Sequence, residues 1–291
     1  MCDDDTLDDN EAYLAASPSL SRRQLGTLAA GAVVTAMLPP VANAVTVTES
    51  DVSVTTPDGT ADCYFVHPAS GKHPAVLIWP DIVGLRPAFR QMGKRLAESG
   101  YSVLVVNPYY RSAPAPVVPP GSSFRDPETR EVLMPLARSL SATTNTTDAA
   151  AFIGWLDQQT AVDTTRKVGT TGYCMGGPIV MRTAAAVPDR VGAGASFHGG
   201  RLVTDRPDSP HLLVPKMKAH FLFAVAENDD ELDPKSKEVL REVYARAGLP
   251  AEIEVYTGAM HGWCPPDSSV YNEKQAERAW SRMLALFETA L

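Results

Sequence analysis

Apolar and polar positions alternate over residues 46–55 and again over 60–67, with Pro57-Asp58-Gly59 between them. Alternation of period two on either side of a turn triplet predicts a hairpin with one buried face. Beyond it the pattern changes to short unbroken apolar runs, Ala75-Val76-Leu77-Ile78-Trp79 and Val103-Leu104-Val105-Val106. Such runs suit strands covered on both faces. Between them Phe89, Met92, Leu96 and Ala97 fall at helical spacing within residues 86–99, and Gly100 ends the segment. The alternation continues with a helix over roughly 146–159, a strand 167–173, a helix 176–187, strands 192–197 and 219–226 and a helix near 234–247. A last strand from Glu252 to Tyr256 and a last helix over about 272–290 close the series.

Strands alternating with helices imply an α/β fold, a mostly parallel sheet with helices on both faces, to which the hairpin adds an antiparallel edge. Functional residues of such sheets gather at the carboxyl ends of the strands. The irregular stretch Asn107 to Arg125 holds Pro108, Pro114, Pro116, Pro119 and Pro120 and is expected to be a lid or pocket wall. No internal repeat is visible.

The first 44 residues read differently. Ser21-Arg22-Arg23-Gln24-Leu25 precedes an apolar run from Leu28 to Leu38, then Pro39-Pro40 and Ala42-Asn43-Ala44. A twin arginine, a short apolar segment and a small-residue end form a twin-arginine export signal. The run is too short to serve as a stable membrane anchor. Residues 1–44 are therefore expected to be the signal, read by the twin-arginine export machinery, and residues 45–291 one exported domain, periplasmic or secreted and acting as a monomer.

Composition narrows the chemistry. A chain of 291 residues, 44% of them hydrophobic, can bury a large single core. Asp3, Asp4, Asp5, Asp8, Asp9 and Glu11 against Arg22 and Arg23 put half of the net charge of −8 in the first 44 residues. The mildly acidic remainder argues against a nucleic-acid partner. Of four cysteines, Cys2 lies in the signal, and Cys63, Cys174 and Cys264 remain. Three thiols leave at least one free, and their spacing suggests no metal site.

Cys174 stands in the most informative stretch, Val168-Gly169-Thr170-Thr171-Gly172-Tyr173-Cys174-Met175-Gly176-Gly177. A strand runs into Gly-x-Cys-x-Gly and a helix follows at once, the nucleophile-elbow pattern with cysteine as nucleophile. There the helix N-terminus favours a thiolate, and the Met175 N–H points at a developing oxyanion. The plain alternative is a buried cysteine in a tight turn.

Gly172-Tyr173-Cys174-Met175-Gly176-Gly177 resembles the G-Y-C-x-G-G signature of the dienelactone hydrolases, cysteine-dependent members of the α/β-hydrolase fold. The resemblance extends from about Asp51 to the C-terminus. It implies a hydrolase that needs no cofactor and cuts a small ester or lactone. In the family an acidic residue after the third strand contacts the thiol, and the next N–H completes the oxyanion hole. By resemblance these roles fall to Asp81 and Ile82 of Asp81-Ile82-Val83-Gly84, with Asp81 one methylene shorter than the family's glutamate.

Elbow hydrolases run in the order nucleophile, acid, histidine. His261, in Gly258-Ala259-Met260-His261-Gly262-Trp263, follows the last predicted strand, where such a fold keeps its general base. His220 begins a strand at the wrong end and His211 lies in a proline-rich segment. His198, ending a strand in Phe197-His198-Gly199-Gly200, is open between a pocket role and local hydrogen bonding. The orienting acid is Asp229 counted from the strand end, or Asp230 counted back from Pro234; strand geometry favours Asp229. Tyr110 and Arg111, in Pro108-Tyr109-Tyr110-Arg111, resemble the family segment whose arginine grips a substrate carboxylate; a surface salt bridge is the alternative for Arg111. The family's second arginine is replaced by Pro265, and Trp79, Tyr109, Tyr110 and Trp263 suggest an aromatic pocket. A non-catalytic binding protein on the same fold is the alternative reading. A redox enzyme finds no G-x-G-x-x-G or metal-spacing cluster to support it.

Overall fold

The computed structural model describes residues 4–16 and 38–291. The hairpin forms as β1 (Val47–Thr56) and β2 (Gly59–Pro68), antiparallel from Val47 opposite Pro68 to Thr56 opposite Gly59. The unbroken apolar runs become β3 (Ala75–Trp79) and β4 (Ser102–Val106). They are followed by β5 (Val168–Tyr173), β6 (Val191–Phe197), β7 (His220–Ala226) and β8 (Ala251–Tyr256). Among the described residues these make one sheet of order β1-β2-β4-β3-β5-β6-β7-β8, parallel except where β2 pairs with β1 and β4.

The helices are α1 (Asp4–Ala16), α2 (Pro87–Glu98), α3 (Pro127–Ser139) and α4 (Ala142–Leu156), then α5 (Gly176–Ala186), α6 (Glu227–Leu232), α7 (Ser236–Ala247) and α8 (Glu273–Ala290). Their starts and stops are written locally. Pro87 sits in the first turn of α2, where its missing N–H costs nothing. Ser141 and Thr144 form a reciprocal capping box at α4, so this helix begins ahead of the expected residue 146. Gly248, in the left-handed conformation, ends α7.

Alternate side chains of each strand divide the core into two layers. Leu77, Trp79, Phe221 and Phe223 face α4, α5 and α7 through Phe152, Ile179, Val180 and Tyr244. Val76, Ile78, Leu222 and Ala224 face α2 and α8 through Phe89, Leu96, Met283 and Phe287. The mostly parallel sheet covered on both faces, with its antiparallel edge, is as the alternation predicts.

Three α-helices were not legible in the pattern: α1, in the acidic stretch expected to belong to the leader, α3 and α6. Of the residues in α3 only Thr129 and Leu133 are buried, and Pro135 lies inside it, so its apolar stripe is too thin to register. The acidic run after β7 winds into the short α6. The twin-arginine stretch and residues 28–37 of the apolar run lie outside the described residues. No described helix is long and apolar enough to cross a membrane.

The tightest point of the fold is the β5–α5 turn. A Cβ on Gly176 would fall 2.4 Å from the Trp79 carbonyl oxygen and 2.9 Å from that of Pro80, and one on Gly172 would fall 2.3 Å from the Gly176 carbonyl oxygen. Backbone meets backbone here, and neither side can yield by a change of rotamer. Gly154, within α4, has nothing within 4 Å of a Cβ. Gly176→Ala should therefore destabilise by about 1–3 kcal/mol or more, as overpacking does. Gly154→Ala should stabilise by about 0.5–1 kcal/mol through helix propensity. Thermal unfolding of the two variants checks both signs.

Candidate active site

Cys174 occupies the turn between β5 and α5 with φ +53°, a left-handed conformation rare for a side chain with a Cβ. Only 2% of the residue is exposed. Its amide is shared between the Phe197 carbonyl at 3.0 Å and Nδ1 of His198 at 3.1 Å, and its carbonyl accepts from Gly177 at 3.0 Å. Met175 follows as the residue that opens α5, so its N–H lies at the start of the helix.

The loop after β3 carries Asp81 and Ile82 beside this turn. Tyr109 holds the two together: its hydroxyl donates to the Ile82 carbonyl at 2.8 Å and lies 3.2 Å from Met175 Sδ. Asp81 is engaged by Arg86, at 2.6 Å from Nη1 and 2.9 Å from Nη2, and also accepts from the Val83 amide. Arg86 in turn binds Asp267 through Nε at 2.6 Å and Nη2 at 2.9 Å. Burial raises the Asp81 carboxyl against the pull of Arg86, with Asp267 and Cys174 adding to the rise. The acidic residue expected to reach the thiol is thus clamped by an arginine of its own loop. Sequence reading missed Arg86, though its place directly before the helix-opening Pro87 puts it on the rim of β3.

The base-bearing loop follows β8. His261 is 2% exposed, and its Nδ1 lies 2.8 Å from both carboxylate oxygens of Asp229, on α6. Asp230 instead lies 2.6 Å from the Lys237 ammonium. Asn228, buried and unremarked in the sequence, accepts from the His261 amide at 2.8 Å, and the Glu227 amide donates to Ala259 at 2.9 Å. The α6 turn therefore fixes both the ring and the backbone of His261. Asn10, on α1, donates to the His261 carbonyl at 3.1 Å, so residues expected to belong to the leader touch this loop. Burial pulls the His261 imidazole down, yet Asp229 and Cys174 outweigh it and lift the pKa to about 9.

The remaining expected residues sit differently. Arg111 pairs with Asp148 at 2.7 Å and Asp58 at 2.6 Å, and Tyr110 donates to Asp148 at 2.8 Å. Asp148 is buried on α4, so this arginine serves to neutralise a carboxylate beneath the sheet edge. Trp79 packs in the core against Phe152, ring centres 5.6 Å apart. Trp263, fully buried, stacks on Tyr256 at 5.4 Å and meets His198 edge-on at 5.1 Å. Among the described residues no group of three acidic, histidine or cysteine side chains is placed to hold a metal ion.

The raised His261 pKa carries a consequence for stability. A histidine whose folded pKa of about 9 exceeds its unfolded value of roughly 6.5 stabilises fully below the lower figure and loses that contribution as pH rises through the higher. Asp229→Asn should thus destabilise most near pH ~6, by on the order of 2 kcal/mol, with the difference fading above pH ~9. Urea unfolding across this range checks it; a pH-independent difference would show that Asp229 does not hold a charged imidazole.

A protein-family model described as the dienelactone hydrolase family matches residues 61–291. A carboxymethylenebutenolidase of Rhodococcus opacus is 26% identical over 243 residues, covering 80% of this chain and 88% of its own. A Methylorubrum extorquens protein provisionally given the same name is 26% identical over 282 residues, 93% of each chain. Among solved structures, a Klebsiella pneumoniae protein provisionally called a dienelactone hydrolase superposes with a TM-score of 0.71 at 22% identity, covering 84% of this chain and 99% of its own. The dienelactone hydrolase of Anabaena variabilis gives 0.57 at 18% identity, with coverage of 84% and 99%. With the family model spanning the sheet from β2 onward and every element of the site, the chain belongs to the dienelactone hydrolase family.

Proposed function

We propose that this protein hydrolyses a small ester or lactone with Cys174 as nucleophile, His261 as base and Asp229 as orienting acid. The observation that carries the reading is the juxtaposition at one end of the sheet. A cysteine held at φ +53° on a strand-to-helix turn lies within electrostatic reach of a buried histidine, and that histidine has a carboxylate 2.8 Å from Nδ1. His261 takes the proton of the thiol, the sulfur adds to the carbonyl carbon, and the tetrahedral oxyanion faces the N–H groups of Met175 and Ile82. Collapse expels the alkoxide, which receives the proton from His261 and leaves a thioester. Water, activated by the same imidazole, then releases the acid and restores the thiol. The carboxylate of Asp229 keeps the proton of the neutral ring on Nδ1 and stabilises the imidazolium. No step requires a cofactor.

Substrate charge is constrained by the ion pairs around the site. Arg111 is matched by Asp58 and Asp148, and Arg86 by Asp81 and Asp267. Cations already neutralised in the fold make poor anchors for a substrate carboxylate, which favours a neutral ester or lactone over the carboxylated dienelactone of the family name. We further propose that residues 1–44 direct a folded monomer out of the cytoplasm through the twin-arginine route.

Cys174→Ala should fold and lose several orders of magnitude in hydrolysis of p-nitrophenyl acetate, as nucleophile removal does in related triads. Asp229→Asn should slow the same reaction far more than Asp230→Asn, whose carboxylate serves Lys237. Turnover at the parent rate in Cys174→Ala would refute the cysteine mechanism and leave a binding protein or another nucleophile. For export, replacing Arg22 and Arg23 by lysine should leave a longer precursor in the cytoplasm. Mature-length protein outside at ordinary levels would point to another route.

A further inference from the structure

His198 is a buried titratable group that the mechanism above leaves unused. It follows the end of β6, 1% exposed, with φ +39°, so the residues after two adjacent strands, Cys174 and His198, both hold left-handed backbone. Its own amide donates to the Ala224 carbonyl at 2.8 Å, which ties it to β7. Its Nδ1 is 3.1 Å from the amide nitrogen of Cys174. An N–H can be accepted only by an unprotonated ring nitrogen, so this contact requires the neutral ring with its proton on Nε2. Nε2 is buried and has no hydrogen-bond partner among the described residues. The ring centre lies 5.0 Å from that of His261, 5.1 Å from Trp263 and 6.1 Å from Tyr173.

We propose that His198 is a positioning residue for the nucleophile: its Nδ1 holds the main chain of Cys174 in the left-handed turn, and the same bond reserves the cationic form of the paired imidazoles for His261. The inference rests on Cys174 being the nucleophile. The titratable groups around His198 are Cys174 and Tyr173 on the β5 side and His261, with Asp229 behind it, on the loop side. A proton on Nδ1 would point at the Cys174 N–H, and a second cation 5.0 Å from an imidazolium would repel it. Burial and His261 both push the His198 pKa well below its ordinary value, in agreement with that geometry. A side chain that merely filled space would need a ring but no acceptor.

Two substitutions separate acceptor from ring. His198→Phe keeps an aromatic ring and removes Nδ1. His198→Asn places Oδ1 where Nδ1 stood and tolerates the positive φ. The readout is the second-order rate of iodoacetamide alkylation at Cys174 across pH, which reports the thiol whether or not any ester is hydrolysed. His198→Phe should be alkylated roughly five- to ten-fold more slowly at neutral pH, the scale of one hydrogen bond, with the midpoint moved to higher pH. His198→Asn should recover most of the rate and the midpoint. A Phe variant whose profile overlays the parent's, or an Asn variant no better than Phe, overturns the proposal. Nitrogen-15 NMR of the ring in the unmutated protein decides the matter even if the Phe variant fails to fold. His198 should show an unprotonated Nδ1 and a protonated Nε2 with no titration between pH ~5 and ~8. An Nδ1–H tautomer, or titration at an ordinary histidine pKa, overturns it. Loss of hydrolysis in Cys174→Ala tests the nucleophile alone, so the two ideas can fail separately.

Discussion

The contact on which the rest of this molecule depends lies between two stretches of main chain. The carbonyl oxygens of Trp79 and Pro80, at the end of β3, stand where a side chain on Gly176 would have to go, and the Gly176 carbonyl stands where one on Gly172 would go. Gly177 is similarly hemmed in by Ser196 and Gly199 at the end of β6. Three strand ends are drawn onto one turn, and that crowding sets Cys174 above the sheet in a conformation it would not choose alone. The segments Asp81-Ile82 and Met175 are brought together by the same approach and then tied by the hydroxyl of Tyr109. Strain at one backbone position is held by close packing on three sides, as expected where a site needs a fixed geometry.

Electrostatics then divide the labour among groups that chemistry alone would make equivalent. Two histidines, both buried, lie with ring centres 5.0 Å apart. One has a carboxylate at Nδ1 and rises to about 9; the other has an N–H donor at Nδ1 and falls. Burial lowers both, and Asp229 with Cys174 outweighs it at His261, whereas at His198 the neighbouring imidazole adds to it. Two neighbouring aspartates are sorted in the same way, Asp229 toward an imidazole and Asp230 toward an ammonium.

The fold was readable because burial on both faces leaves unbroken apolar runs, and because the hairpin, with one covered face, alternates instead. The elbow was readable because close backbone approach demands glycine, and glycine shows in a sequence. What stayed hidden is what depends on partners far along the chain. Nothing in Asp81-Ile82-Val83-Gly84 reveals that Arg86 will turn back to clamp Asp81, or that Asp267 will hold the other side of that guanidinium. Sequence alone left Arg111 open between an anion anchor and a salt bridge, since its carboxylates, Asp58 and Asp148, come from the hairpin turn and from α4. Asn228 gave no sign, as an amide beside four acids reads as one more polar loop residue. The α3 helix was lost for another reason, having too little apolar surface to imprint a period.

Cys63, Cys174 and Cys264 are all thiols, and each is buried in its own neighbourhood: Cys63 among the residues of one core layer, Cys264 in the other, Cys174 at the turn between β5 and α5. Burial pushes Cys63 and Cys264 far toward the protonated form, which leaves both poor nucleophiles. Should peroxide convert the sulfur of Cys174 to a sulfenic acid, neither could act as a resolving thiol to trap it as an internal disulfide. With neither available, repair falls to another thiol that reaches the site, and without one the sulfur would advance to sulfinic acid, which thiols do not reverse. If Cys174 is the nucleophile proposed above, the lifetime of activity in oxidising surroundings is then governed by the competition between oxidant and external thiol at one atom.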